Sequence, residues 1–314
     1  MPRTTSPVVN VVLFLLTVLT TLVAGFVASG GVEGLERYPL GSALGMLLVA
    51  GIPYSASLMA MLLCHEFGHY FAARLHGVDA SLPFFIPFPM PPFGTMGAVI
   101  RIRSKLPSLR SVLDIGAAGP IAGFVVAVPV LVWGVAHSQV VHGVPTQGPN
   151  AAWQSAFNLL TALVHHSYRP WVEPQVTVYG DSILTWAVTR LVHGPLPAGS
   201  DIALHPVAFA GWVGCLITAM NMTPVGQLDG GHVIYALFGR WGSLVSRLFS
   251  HALLGVGLFA SWNWLIWWVL TRLLVGVEHP MPQDTSPIGR GRKAVAVLSL
   301  VILVLTFVPR PVLF

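Results

Sequence analysis

Apolar runs long enough to cross a bilayer recur from one end of the sequence to the other, and they decide which folds are open to it. A spanning helix needs about 20 residues at 1.5 Å rise each. Runs of that kind lie near 9–29, 41–76, 112–136, 206–238, 244–260, 262–277 and 294–309. The last three are short or share a boundary, so six or seven spans are expected. Charge content agrees: 9% of the residues are charged and 54% hydrophobic, whereas soluble domains carry about 25% charged residues. The expected fold is an all-α polytopic membrane protein forming a single integral membrane domain over 1–314.

The first run follows Arg3 and ends in small residues, as a signal peptide would, but it exceeds the ~7–15 apolar residues of a signal core and reads as a retained anchor. The net charge of +5 comes with no basic face or aromatic pattern for nucleic acid, so no nucleic-acid partner is expected. With the N-terminus in the cytoplasm and seven crossings, all the cations except Arg37, Arg169, Arg190 and Arg310 fall inside, which is positive-inside topology. Cys64 and Cys215 both lie in apolar runs and suggest no disulfide framework.

Two connectors are longer than a helix-to-helix turn requires. The first, 77–111, has prolines at 83, 87, 89, 91 and 92 that forbid helix, followed by strand-like alternation over Ala98-Val-Ile-Arg-Ile-Arg103. An apolar, non-helical segment must bury its backbone in protein or line a cavity, so a small membrane-associated β-hairpin leaning on the bundle is expected. The second connector, 138–205, has helical apolar spacing from Trp153 to Val164 and from Ser182 to Val192, expected as amphipathic helices on the outer face.

Chemistry concentrates in two places. Within a helix expected from Ala56 to His76 the chain reads His65-Glu-Phe-Gly-His69. Histidines four apart share a helix face about one turn apart, which suits two ligands of one zinc ion, and Glu66 between them can act on a water at the metal. Packed histidines are the plain alternative, but an ionisable group at a span centre costs about 2.5–3.5 kcal/mol, and three polar side chains share this turn. A catalytic zinc normally has three protein ligands. The third candidate is Asp229, in Asn221-Met-Thr-Pro-Val-Gly-Gln-Leu-Asp229-Gly-Gly-His232, where proline and glycines make a helix yield and let another backbone approach.

His232, three residues on, is an alternative ligand or a polar neighbour. Asn221 is either a donor to a developing oxyanion or an ordinary helix–helix hydrogen bond. Asp114, near Arg110, suits a snorkelling carboxylate or an ion pair. The remaining histidines read as solvated or interfacial.

His65-Glu-Phe-Gly-His69 in one span and Asn221…Pro224…Leu228-Asp229-Gly-Gly in a later one resemble the site-2 protease family of intramembrane zinc metalloproteases. Gly94-Thr-Met-Gly-Ala-Val-Ile-Arg and Asp114-Ile-Gly-Ala-Ala-Gly-Pro-Ile-Ala-Gly-Phe124 resemble its EGY-like subgroup, found in plant chloroplasts and in bacteria. The likeness covers 41–240, the expected catalytic core, and is weaker over the C-terminal spans at 244–309.

The resemblance implies Zn2+ held by His65, His69 and Asp229, one per chain, with Glu66 as general base and Asn221 assisting substrate or transition state. It implies a hairpin that guides an unwound strand of a membrane-protein substrate, and regulated intramembrane proteolysis as the activity. A multi-pass location in a bacterial cytoplasmic membrane is expected. No PDZ-like insertion or nucleotide-binding module is seen in the sequence, so regulation by such devices does not carry over. The rivals are a zinc-binding but proteolytically inactive membrane scaffold, which would not need Glu66, and a transporter, which would show paired broken helices in two repeated halves.

Overall fold

The computed structural model describes residues 7–30, 39–90, 92–142, 178–276 and 279–313. The helices are α1 (Pro7–Ala28), α2 (Leu40–Leu75), α3 (Leu109–Ala136), α4 (Ile183–His193), α5 (Pro206–Asn221), α6 (Asp229–Phe238), α7 (Gly242–Phe259), α8 (Trp262–Leu270) and α9 (Arg290–Thr306). Between them lie strands β1 (Phe84–Pro87), β2 (Thr95–Val99), β3 (Gln139–His142), β4 (Val178–Tyr179), β5 (Ser200–Ala203) and β6 (Val312–Leu313), paired antiparallel as β1–β2, β3–β5 and β4–β6.

Among the described residues four stretches are long and apolar enough to cross a membrane: α1, α2, α3 and Asp229–Phe259, which joins α6 to α7. The expected six or seven spans are not established by these lengths. The 206–238 run is divided between α5 and α6, and α8 continues only into a short π-turn at Thr271–Val275. Of the two helices expected in the second connector, the one at Ser182 is α4, and the one at Trp153 lies outside the described residues.

α1 has the polarity of a helix solvated by lipid. Its outward face carries Val8, Val12, Leu15 and Leu19, each about half exposed, while Asn10, Thr17 and Thr21 are buried against the protein. A soluble helix would be built the other way round. The inward groups are satisfied: Thr17 Oγ1 donates to Leu13 O at 2.8 Å, and the Thr21 and Ser55 hydroxyls lie 2.7 Å apart between α1 and α2.

The β1–β2 hairpin lies along this inner face. Asn10 Nδ2 donates to Leu82 O and Pro83 O at the base, Phe14 meets Phe85 edge-on at 5.2 Å, and Tyr54 OH donates to Phe93 O near the tip. Gly94, at φ +75°, abuts the α1 backbone at Thr20 and Thr21, where a side chain would overlap it. The tip therefore sits about ten residues along α1 from the base, or roughly 15 Å at helical rise. The hairpin was expected; its second strand is Thr95–Val99 rather than 98–103. Beyond Val99 the chain leaves the ladder and runs beside the residues that precede β1, through a bridge from Ile102 to Ala80 and a bond from Arg101 N to Ser81 Oγ at 2.9 Å.

α3 starts at a reciprocal cap, in which Ser108 Oγ accepts from Ser111 N while Ser111 Oγ accepts from Ser108 N. Such a cap satisfies two of the amides that a helix start leaves unpaired. α2, α3 and α5 then pack around Tyr54, Leu58, Leu131, Phe209 and Trp212, all nearly inaccessible, and this packing presents α2 to both α3 and the α5–α6 break.

Candidate metal centre

His65 and His69 project from the buried side of α2, one helical turn apart, with their Nε2 atoms 3.1 Å apart. Asp229 comes from the first turn of α6. Pro224 cannot continue α5, and the chain turns through Gly226 at φ +53° with its own backbone bonds, Val225 N to Thr223 O at 2.7 Å and Leu228 N to Val225 O at 3.1 Å. Gly230 and Gly231 have no room for a side chain because the Met222 and Gly226 carbonyls press on them. The break thus folds back tightly and places Asp229 Oδ2 3.2 Å from His65 Nε2 and Oδ1 3.3 Å from His69 Nε2.

These atoms fit a metal ion. Bonds of about 2.0–2.1 Å in a tetrahedron put neighbouring ligand atoms roughly 3.3 Å apart; each imidazole nitrogen lies close to that distance from one of the two Asp229 oxygens, and one ligand atom from each residue falls within 4.8 Å of the others. His69 Nδ1 lies 2.7 Å from Ile115 O on α3. A carbonyl only accepts, so that nitrogen carries the hydrogen and a neutral ring keeps Nε2 bare, the outer-sphere arrangement that orients metal-binding histidines. Asp229 Oδ2 is buried without a hydrogen-bond partner, 3.2 Å from His65 Nε2. Two imidazole nitrogens and a carboxylate pointing at one small volume would leave buried acceptors unpaired unless a cation satisfied them. They are the one cluster of this type among the described residues.

α3 supplies the seat. A methyl at Gly119 would overlap the His69 imidazole, one at Gly116 would overlap His232, and one at Gly123 would press on His65. The lack of side chains at these three positions is what lets the rings stand between the helices. The stretch Asp114–Phe124 that holds these glycines and Ile115 carried part of the resemblance, but no seating role for them was read from the sequence.

Glu66 is buried, 2% exposed, and outside the metal-binding cluster. It shares with His65, His69, Asn221, Asp229 and His232 a cavity of about 150 Å³, and the Ile100 backbone amide lies within its reach. Asn221, the last residue of α5, has Nδ2 3.4 Å from His65 Nε2. Ala98, Val99, Ile100 and Ile102 form a further wall, so the hairpin side of the protein faces the polar centre.

Three residues differ from expectation: His279, Asp114 and His76. His232 lies outside the metal cluster as a polar neighbour, and its Nδ1 lies 2.6 Å from Nε2 of His279, a residue read from sequence as solvated. Asp114 pairs not with Arg110 but with Arg292 of α9, through contacts of 2.7 and 3.0 Å, and with His76 at 2.8 Å. His76 is thus part of a tie joining α2, α3 and α9 rather than a free interfacial group.

Residues 53–262 match Peptidase family M50. The rice protein called probable zinc metalloprotease EGY1, chloroplastic, is 30% identical over 96% of this chain and 50% of its own length. Its Arabidopsis namesake is 29% identical over 83% of the chain and 43% of its own. Arabidopsis probable zinc metalloprotease EGY2, chloroplastic, is 27% identical over 85% and 43%. The chain spans about half the length of the curated relatives it matches, and no solved structure matches it. The chloroplast names give no support to the expected bacterial membrane. The match extends over two thirds of the chain and takes in both halves of the cluster, so this protein belongs to Peptidase family M50.

Proposed function

We propose that the chain is an intramembrane zinc metalloendopeptidase acting on the transmembrane segments of membrane proteins, with 1–314 forming one integral membrane protease domain. The observation that carries the reading is the convergence of His65, His69 and Asp229 with Glu66 and Asn221 on one buried cavity. His65, His69 and Asp229 would hold the metal. When bound, zinc supplies a Lewis acid for water and for the scissile carbonyl. Glu66 takes the proton from the attacking water and returns it to the departing amine, so the two halves of the peptide bond leave as acid and amine. Asn221 Nδ2 donates to the carbonyl oxygen as negative charge develops on it. A scaffold would leave Glu66, a buried carboxylate outside the cluster, without a task.

A helical substrate keeps its backbone carbonyls in its own hydrogen bonds and beneath its side chains, so a membrane helix must unwind locally to bring a peptide bond to the metal. The β2 wall offers an unwound segment a backbone to pair with, as in strand addition. Val99→Pro should remove a donor from that edge and slow cleavage without loss of zinc, and Ile100→Pro should do so too while also removing the amide beside Glu66. Wild-type turnover in both variants would eliminate strand addition.

The overall reading is tested with the full chain in liposomes beside single-span membrane proteins that do or do not carry a helix-breaking Gly-Pro pair. Cleavage should favour the breakable spans, stop on chelation with 1,10-phenanthroline and return with added zinc. Activity that survives complete metal removal would overturn the proposal.

A further inference from the structure

The connector between the π-turn and α9 is tied down on both sides. Its Gly276 carbonyl presses on Gly226 in the α5–α6 break. Further on, Gln283 N donates to Leu106 O at 3.1 Å, Asp284 N to Pro107 O at 3.0 Å, and Leu109 N to Asp284 O at 3.0 Å. On this connector His279 stacks over Tyr235 of α6, with ring centroids 4.3 Å apart and planes 15° from parallel. Its Nδ1 lies 2.7 Å from Pro280 O and its Nε2 2.6 Å from His232 Nδ1.

These contacts fix where the hydrogens are. The Pro280 carbonyl can only accept, so His279 Nδ1 carries a hydrogen. Burial pushes the His279 imidazole below its ordinary pKa, so the ring is neutral and Nε2 is an acceptor. His232 Nδ1 must then be the donor, and its remaining nitrogen, Nε2, is left with a lone pair. His232 lines the cavity with Glu66, Asn221 and Asp229.

We propose that His279 is a positioning residue that fixes the tautomer of His232, and that His232 Nε2 accepts a hydrogen bond from a backbone N–H of the unwound substrate. This rests on the peptidase reading above. Unwinding in a water-poor site frees peptide N–H groups that need acceptors, and a bare imidazole nitrogen is an acceptor that no substrate side chain has to provide. Because the N–H is away from the reacting carbonyl, the bond helps ground state and transition state alike and belongs to KM rather than kcat.

The test uses full-length protein labelled with 15N-histidine in detergent micelles, with the His232 signal assigned by its loss in His232→Gln. Wild type should carry hydrogen on Nδ1 and none on Nε2. His279→Phe keeps a ring over Tyr235 but offers no acceptor; the His232 hydrogen should redistribute to Nε2 and KM should rise roughly tenfold at unchanged kcat and zinc content. His279→Gln, with its amide oxygen as acceptor, should restore both tautomer and KM. Hydrogen on Nε2 in the wild type, or a wild-type tautomer and KM in His279→Phe, overturns the inference alone. A fall in kcat at constant KM also overturns it, by moving His232 into the chemical step. A chain that holds zinc and shows the expected tautomer yet cuts no peptide defeats the peptidase reading and the substrate contact together.

Discussion

Glu66→Gln protein should retain zinc at about one ion per chain while peptide cleavage falls at least ~100-fold, the scale of losing a general base and roughly 2.7 kcal/mol of barrier. Glutamine keeps the length of the side chain and its place between His65 and His69 but cannot take a proton from water. Because Glu66 is outside the cluster formed by His65, His69 and Asp229, the metal set is untouched. Metal analysis and a cleavage assay on the same preparation check it. Wild-type cleavage by Glu66→Gln would remove the proposed proton path, and loss of zinc would make Glu66 a ligand.

Asp229→Ala should have the opposite signature. Zinc affinity should drop by more than the 10–100-fold that losing an outer-sphere partner costs, and cleavage should fall with it. The substitution removes both carboxylate oxygens from beside the imidazoles and leaves two protein ligands. It also relieves a buried carboxylate whose Oδ2 has no hydrogen-bond partner, so the empty protein should fold at least as readily as wild type. Full zinc retention would place the third ligand elsewhere, with His232 the next to replace.

The polar pattern of the site was legible before any geometry, because hydrocarbon makes ionisable side chains conspicuous. His65, Glu66, His69 and Asp229 stood out for that reason, and the prolines and glycines between Asn221 and Gly231 marked the break that delivers Asp229. Distance along the chain misled in one case: Arg110 is one helical turn from Asp114, yet Arg292 of α9 takes the carboxylate. The Ile115 carbonyl that orients His69 could not have been found, since every residue has a carbonyl and only packing chooses which one meets a ring. His279 was hidden by its place in a connector. The hairpin strand was displaced because the alternation over 98–103 describes a wall with a polar cavity on one side, and the ladder ends at Val99.

The division of the cluster between α2 and the start of α6 sets when, during synthesis, the metal-binding set becomes complete. A ribosome that has delivered α1, α2 and α3 into the membrane has made both histidines and Glu66, but nothing that completes the set. The carboxylate is not synthesised until residue 229, and Arg292, whose tie to Asp114 draws the last helix against α2 and α3, comes later still. Chains that stop short of residue 229 therefore hold both histidines and Glu66 without the carboxylate that completes the cluster.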